Sequence, residues 1–265
     1  SATAPQTASM QTASAQTTKL QPINVVVITL DTVRVDHLHC YGYKKIKTPV
    51  MDGLSQQGVQ FEKAVTQAPL TGPSHASIFT GTNPNVHGVR DTGGFVLQPS
   101  SVTLATILQK HGWDTAAFVS ASVLKKSFGL NQGFSTYDDQ MPGTNDGSGF
   151  TRAASRPAPL PVDHALRWLG TQSKQPFFLW VHLYDAHEPY NPPPQFRKAY
   201  PGDPYDAEIA FEDQQLGRLL TVVRKKSPAN KTLIVLLADH GEGLGDHGEY
   251  SHGIFLYDST VHIPW

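Results

Sequence analysis

Three apolar runs of strand length, each ended by a polar cluster, constrain this chain more than any other feature. Ile23–Leu30 (INVVVITL) closes on Asp31-Thr32, Phe177–Leu183 (FFLWVHL) on Tyr184-Asp185-Ala186-His187, and Thr232–Ala238 (TLIVLLA) on Asp239-His240. Apolar runs without alternation mark strands buried on both faces. Helical patterns lie between them, so the sequence predicts an α/β fold: a largely parallel sheet with helices on both faces. Ligands of such sheets bind beyond the carboxyl ends of the strands. The three polar clusters are therefore expected to converge.

Thr48–Gln57 is a helix closed by Gly58, and Val59–Val65 an extended segment. Pro73 opens a short helix stopped by Gly81. Thr103–Lys110 is a helix and Thr115–Ser120 a strand; Val162–Gln172 is another helix. Tyr205–Lys226 is the clearest helix, with Ile209, Leu216, Leu219, Leu220 and Val223 on one face. Residues 139–160 form a Gly/Pro/Ser-rich loop of the kind often found beside a site. Residues 1–21 (SATAPQTASMQTASAQTTKLQ) carry too few large apolar side chains to offset the entropy of ordering, and read as a disordered leader or linker. The catalytic domain is then 22–265. A leader of this composition fits the remnant of a signal peptide and points to a periplasmic or secreted protein.

Lys and Arg number 21 against 22 Asp and Glu, so no net field recruits nucleic acid. No run of 18 apolar residues exists to span a membrane. Cys40 is the single cysteine, which rules out an intramolecular disulfide. The electrostatics of the whole chain select no partner, and the case rests on local clusters.

Asp239 and His240 follow a buried strand, where a carboxylate oxygen and an imidazole nitrogen can reach one divalent cation. Asp, His and Gly are also common in plain turns. Asp31 offers a second oxygen at the end of another strand, although a lone Asp is more often a cap. Thr71, in LTGPSH, is expected just before a helix N-terminus that favours an anion. A cation at its hydroxyl would make it a nucleophile; the plainer alternative is that Thr71 or Ser74 caps the helix. His187 and His252 complete the candidates. Four histidines between His240 and His262, among several glycines, are dense for a structural loop.

The string ITLDTVRVDHLHCYGYKKIKTPVMDGLSQQGVQFEKAVTQAPLTGPSHASIFTGTNPNVHGVRD, followed in order by YDAHEPYNPP and ADHGEGLGDHGEYSHGIFLYDSTVHIPW, resembles the sulfatase family of the alkaline phosphatase superfamily. The resemblance runs from about residue 23 to the end. It implies Asp31, Asp239 and His240 as metal ligands and Thr71 in the nucleophile position, itself touching the metal. His187 and His252 match histidines that contact the transferred group or a second metal. Arg34 matches a family arginine and receives no role. The family fold implies a further strand and C-terminal region beyond Trp265.

The departures from that pattern direct the functional expectation. The family's Cys or Ser, followed by x-P-S-R, is oxidised to formylglycine, whereas Thr71-Gly72-Pro73-Ser74-His75 would oxidise only to a ketone. Thr32 stands where a second aspartate is expected, and His252 where a lysine is common. Fewer carboxylates and more imidazoles shift preference toward zinc or manganese, with calcium still open. The expected activity is metal-dependent hydrolysis of phosphate esters, phosphodiesters above all, through an unmodified threonine. Its substrate would be a small-molecule, glycan-linked or lipid-linked ester. The alternatives are a sulfatase acting without formylglycine, a transferase of the phosphoethanolamine or phosphoglycerol type, and a silent metal-binding module.

Overall fold

The computed structural model describes residues 22–141, 155–172, 176–227 and 231–265. The leader expected over 1–21, and positions 142–154 of the loop expected over 139–160, lie outside these residues. In chain order the elements are β1 (Asn24–Leu30), α1 (Pro49–Gln57), β2 (Ala64–Val65), α2 (Thr71–Thr80), α3 (Pro84–His87), α4 (Leu104–Lys110), β3 (Asp114–Phe118) and β4 (Thr136–Asp138). They continue with α5 (Pro159–Thr171), β5 (Phe177–Leu183), α6 (Pro194–Ala199), α7 (Pro204–Lys226), β6 (Thr232–Ala238), α8 (Asp258–Val261) and β7 (His262–Ile263).

The main sheet has the order β4-β3-β5-β1-β6, and all four of its pairings are parallel. β1 sits between β5 and β6, so the β5-to-β6 connection passes over it. β2 and β7 pair separately as a short antiparallel ladder. Along β5 every residue is buried, as the unbroken apolar run predicts.

Side chains on a strand alternate between faces. Val26, Ile28, Leu30, Leu179, Val181 and Leu183 pack with Ala165, Leu169, Ile209, Leu216 and Leu219, and so meet α5 and α7. Val27, Phe178 and Trp180 pack with Ala76, Phe79 and Ala105, and so meet α2 and α4. Thr29, Asp31 and His182 continue this second parity. Near the carboxyl ends of β1 and β5, Thr29, Asp31 and His182 are thus on the α2 face, while Leu30 and Leu183 lie on the other.

Several boundaries differ from the sequence reading. Pro73 does not open α2: the helix starts at Thr71, with Leu70 as its N-cap, and Pro73 is its third residue. A first turn tolerates proline because its N–H groups lack intrahelical partners anyway. Gly81 ends α2 in the left-handed conformation, φ 65°, as expected. The extended segment expected over Val59–Val65 contracts to the two residues of β2. β3 runs over Asp114–Phe118 rather than Thr115–Ser120.

Candidate metal and nucleophile site

β1 and β6 are in register, Leu30 opposite Ala238, so the residues that follow them, Asp31 and Asp239, lie side by side. The Asp239 N–H donates to the Leu30 carbonyl at 3.2 Å and the Asp31 N–H to the Leu183 carbonyl at 3.0 Å, which extends the ladder into the site. α2 is fastened across these ends by Ser74, whose Oγ donates to the Asp239 carbonyl at 2.7 Å. The helix start therefore carries Thr71 over the two carboxylates. Neither Thr71 nor Ser74 caps α2, so the capping alternative is set aside.

The oxygens are shared out unequally. Asp239 Oδ1 accepts the N–H groups of His240 at 2.8 Å and Thr32 at 3.3 Å. Asp31 Oδ2 accepts from Thr71 Oγ1 at 3.3 Å and lies 3.2 Å from His182 Nε2. Asp31 Oδ1 and Asp239 Oδ2 are buried without a hydrogen-bond partner among the described residues. Such atoms are costly in a protein interior unless something fills the need.

His240 supplies the complement. Its Nδ1 faces the Gly241 carbonyl at 2.9 Å, an acceptor, so Nδ1 carries the proton and Nε2 keeps a lone pair. That Nε2 lies 3.5 Å from Asp239 Oδ2, 3.9 Å from Asp31 Oδ1 and 3.4 Å from Thr71 Oγ1. Ligand atoms of Asp31, Asp239 and His240 all fall within 4.8 Å of one another, and all three residues are buried. Metal–ligand bonds of about 2.0–2.2 Å place neighbouring ligand atoms roughly 3.3 Å apart, and the separations here need little adjustment. Two unpartnered carboxylate oxygens, an imidazole lone pair and a hydroxyl fit a divalent cation.

Electrostatics agree. Burial and the charge of Asp31 push the Asp239 carboxyl well above the carboxylate range. Burial also opposes ionisation of Asp31, but the His182 hydrogen bond and the nearby imidazoles hold its carboxyl below its usual value. Burial, with His252 beside it, lowers His240 to about 3, so its ring stays neutral. Two adjacent acids of which one resists ionisation are relieved by a cation between them.

His187 and His252 reach the mouth of the same site but fall outside the groups of close ligand atoms found among the described residues. The His252 ring lies 4.3 Å from that of His240 and 5.1 Å from that of His187, centroid to centroid. Its Nδ1 is 3.1 Å from Glu242 Oε1; burial would lower its pKa, but the Glu242 contact outweighs this and raises it. His187 stacks on Tyr184 at 4.3 Å, and its Nδ1 donates to the Glu188 carbonyl at 2.7 Å. Asp185 Oδ2 accepts the Ala158 N–H at 2.8 Å, and Asp185 belongs to neither group of close ligand atoms found among the described residues.

Thr32, in the place of the second aspartate, offers no charge. It adopts φ 59°, costly for a β-branched residue, and its Oγ1 lies 2.7 Å from both the Asp31 and Ala186 carbonyls. It ties the end of β1 to the segment after β5. Arg34 is a clasp: it contacts Asp36 and Asp246 and donates to the Glu242 carbonyl at 3.2 Å, which holds the 242–246 loop. Gly241 is required by close approach, because a Cβ there would lie 2.0 Å from the Ser259 carbonyl oxygen.

Sequence reasoning missed His182, fully buried in β5, and gave His75 no role of its own. The only signal for His182 was one imidazole in an otherwise apolar strand, and parity places it beside Asp31 only once the order of the strands is known.

The sulfatase family model matches residues 23–264. Human (Homo sapiens) iduronate 2-sulfatase is 23% identical over 91% of this chain and 58% of its own length. An arylsulfatase of Clostridium perfringens is 22% identical, with 91% and 67% covered. The chain thus spans about three-fifths to two-thirds of the length of these relatives. The crystal structure of a phosphonate monoester hydrolase of Agrobacterium radiobacter superimposes with a TM-score of 0.77 at 21% identity, covering 91% of this chain and 67% of that one. That likeness shows the fold. No helix among the described residues is long and apolar enough to cross a membrane.

Proposed function

The chain belongs to the sulfatase family, and from that premise we propose that it is a divalent-metal-dependent hydrolase of phosphate esters, phosphodiesters above all, with Thr71 as nucleophile. The observation that carries this reading is the Thr71 hydroxyl, 3.3 Å from Asp31 Oδ2 and 3.4 Å from His240 Nε2 at the start of α2. Asp31, Asp239, His240 and Thr71 would hold the cation. When bound, it would supply Lewis acidity, lowering the pKa of the Thr71 hydroxyl and offsetting the charge of the ester. Zinc or manganese suits the donors better than calcium, because Thr32 adds no carboxylate.

The residues then divide the work. Asp31 Oδ2 accepts the Thr71 proton in the existing hydrogen bond. Thr71 Oγ1 attacks phosphorus, forming a threonine phosphoester as the bond to the leaving alcohol breaks. His252, with its proton favoured by Glu242, donates to the leaving oxygen, and His187 steadies the equatorial oxygens. Water, giving a proton to His252 in its neutral form, then attacks phosphorus; the bond to Thr71 Oγ1 breaks, and Asp31 returns the proton that restores the hydroxyl. A phosphorus ester is also the substrate class in the name of the Agrobacterium neighbour.

A sulfate ester is the second reading, favoured by the names of the curated relatives. It needs a route other than formylglycine, because Thr71 carries a β-methyl group. The test is a panel of aryl phosphodiester, aryl phosphate and aryl sulfate, assayed with zinc, manganese or calcium. Phosphodiester turnover well above sulfate turnover supports the proposal. The reverse order overturns it in favour of the second reading.

A further inference from the structure

Behind the nucleophile lies a second group of close ligand atoms, from His75, His182 and Asp239, all buried. Composition alone suits a cation, but the directions of the hydrogen bonds do not. His75 Nδ1 faces the Thr71 carbonyl at 2.8 Å, so it carries a proton. His75 Nε2 lies 3.0 Å from Thr29 Oγ1, which already accepts the Trp180 indole N–H at 2.9 Å and so donates to His75. His182 Nδ1 accepts the backbone N–H of Ser120 at 3.3 Å. A backbone N–H can only donate, so Nδ1 holds the lone pair and Nε2 the proton.

Neither imidazole therefore turns a lone pair toward the carboxylates: His75 Nδ1–H donates to the Thr71 carbonyl, with Asp239 Oδ2 3.6 Å away, and His182 keeps its proton on Nε2. The group is a donor wall. One of its contacts bears directly on the metal site: His182 Nε2–H points at Asp31 Oδ2 at 3.2 Å. A carboxylate can rotate to exchange its oxygens or swing both toward a cation. With Oδ2 held by His182 and shared with Thr71, Oδ1 alone is left facing His240 and Asp239.

Resting on the metal-site reading above, we propose that His182 is a positioning residue that fixes the Asp31 carboxylate for the cation through its Nε2–H. The ring is oriented in turn by the Ser120 N–H, and Ser120 Oγ donates to the His182 carbonyl at 2.8 Å, so β3 and β5 jointly hold it. Outer contacts of this sort typically change metal affinity by about 10–100-fold.

Amide side chains separate the two ring nitrogens. In His182→Gln the terminal amide reaches the place of Nε2 and can still donate to Asp31. In His182→Asn it reaches only the place of Nδ1, and in His182→Phe the volume stays without any donor. Mn2+ affinity would be read by electron paramagnetic resonance and Zn2+ affinity by competition with a chromophoric chelator, beside the melting temperature of each metal-free protein. His182→Gln is expected within a few-fold of wild type, and His182→Asn and His182→Phe about 10–100-fold weaker. If His182→Phe does not fold, the Gln and Asn pair carries the comparison. Equal affinities of that pair overturn the inference while leaving the metal site standing. Wild-type protein that binds neither ion overturns the metal reading and this inference together.

Discussion

The imidazoles of the inner wall and those of the mouth are the same side chain set to opposite uses. His75 and His182 are fully buried with both ring nitrogens engaged: those of His75 by the Thr71 carbonyl and the Thr29 hydroxyl, those of His182 by the Ser120 N–H and the Asp31 carboxylate. His187 and His252 each commit Nδ1, to the Glu188 carbonyl and to Glu242, and their Nε2 atoms make no hydrogen bond among the described residues. His240 stands between them, its lone pair turned inward. Burial alone does not tell a cation ligand from a scaffold. What separates them is which nitrogen is already spoken for.

The most severe way to break this comparison is His240→Ala, which removes the one inward lone pair. Cation affinity is expected to fall by more than about 100-fold, beyond the usual reach of an outer contact, and turnover with it; titration calorimetry reads the first. Replacing a mouth histidine should act differently. His252→Ala is expected to keep stoichiometric metal while lowering kcat by about 10²–10⁴-fold, the range for a lost general acid. The loss should shrink with leaving groups of low pKa, read by comparing nitrophenyl and phenyl esters.

A subtler change is Glu242→Gln. Glu242 raises the pKa of His252, so the variant should titrate His252 at lower pH, and the alkaline limb of the pH–rate profile should move down with it. The sign for stability is the same. A raised histidine contributes stability that is complete below its unfolded value of about 6.5 and lost as pH rises through the folded value. That contribution should vanish in Glu242→Gln, as NMR titration and melting curves would show.

The smallest expected effect on catalysis lies on the acidic side of the fold. Glu208 of α7 is buried, accepts the Asn191 N–H at 2.7 Å, and is pushed up to about 7 chiefly by burial. Its stabilising share is complete below about pH 4.5 and lost as pH rises through about 7. Glu208→Gln keeps the acceptor, so it should flatten that loss of melting temperature and leave turnover unchanged.

Much of this was legible in the sequence because β1 and β5 are apolar runs that a doubly covered sheet buries, and because β1, β5 and β6 each end in Asp or a His-bearing turn. β6 departs from the expected double burial, since it is the edge strand, with Leu233 exposed and only Leu237 and Ala238 buried. Phe177–Leu183 and Thr232–Ala238 are strands with the boundaries expected. The start of α2 was not legible: Pro73 signals a first turn, yet helical geometry begins at Thr71, where the Ser74 bond to the Asp239 carbonyl fixes the end of the helix. That is tertiary information. β4, three residues long, has too little pattern to detect. The tautomer of His182 depends on Ser120, distant in sequence, so no local motif could announce its N–H toward Asp31.

The most direct test of the central claim is metal-loaded Thr71→Ala beside wild type, with zinc and manganese content by elemental analysis and hydrolysis of an aryl phosphodiester on the same samples. The account predicts metal retained by Asp31, Asp239 and His240 with phosphodiester turnover lost. Unchanged turnover in Thr71→Ala would contradict it.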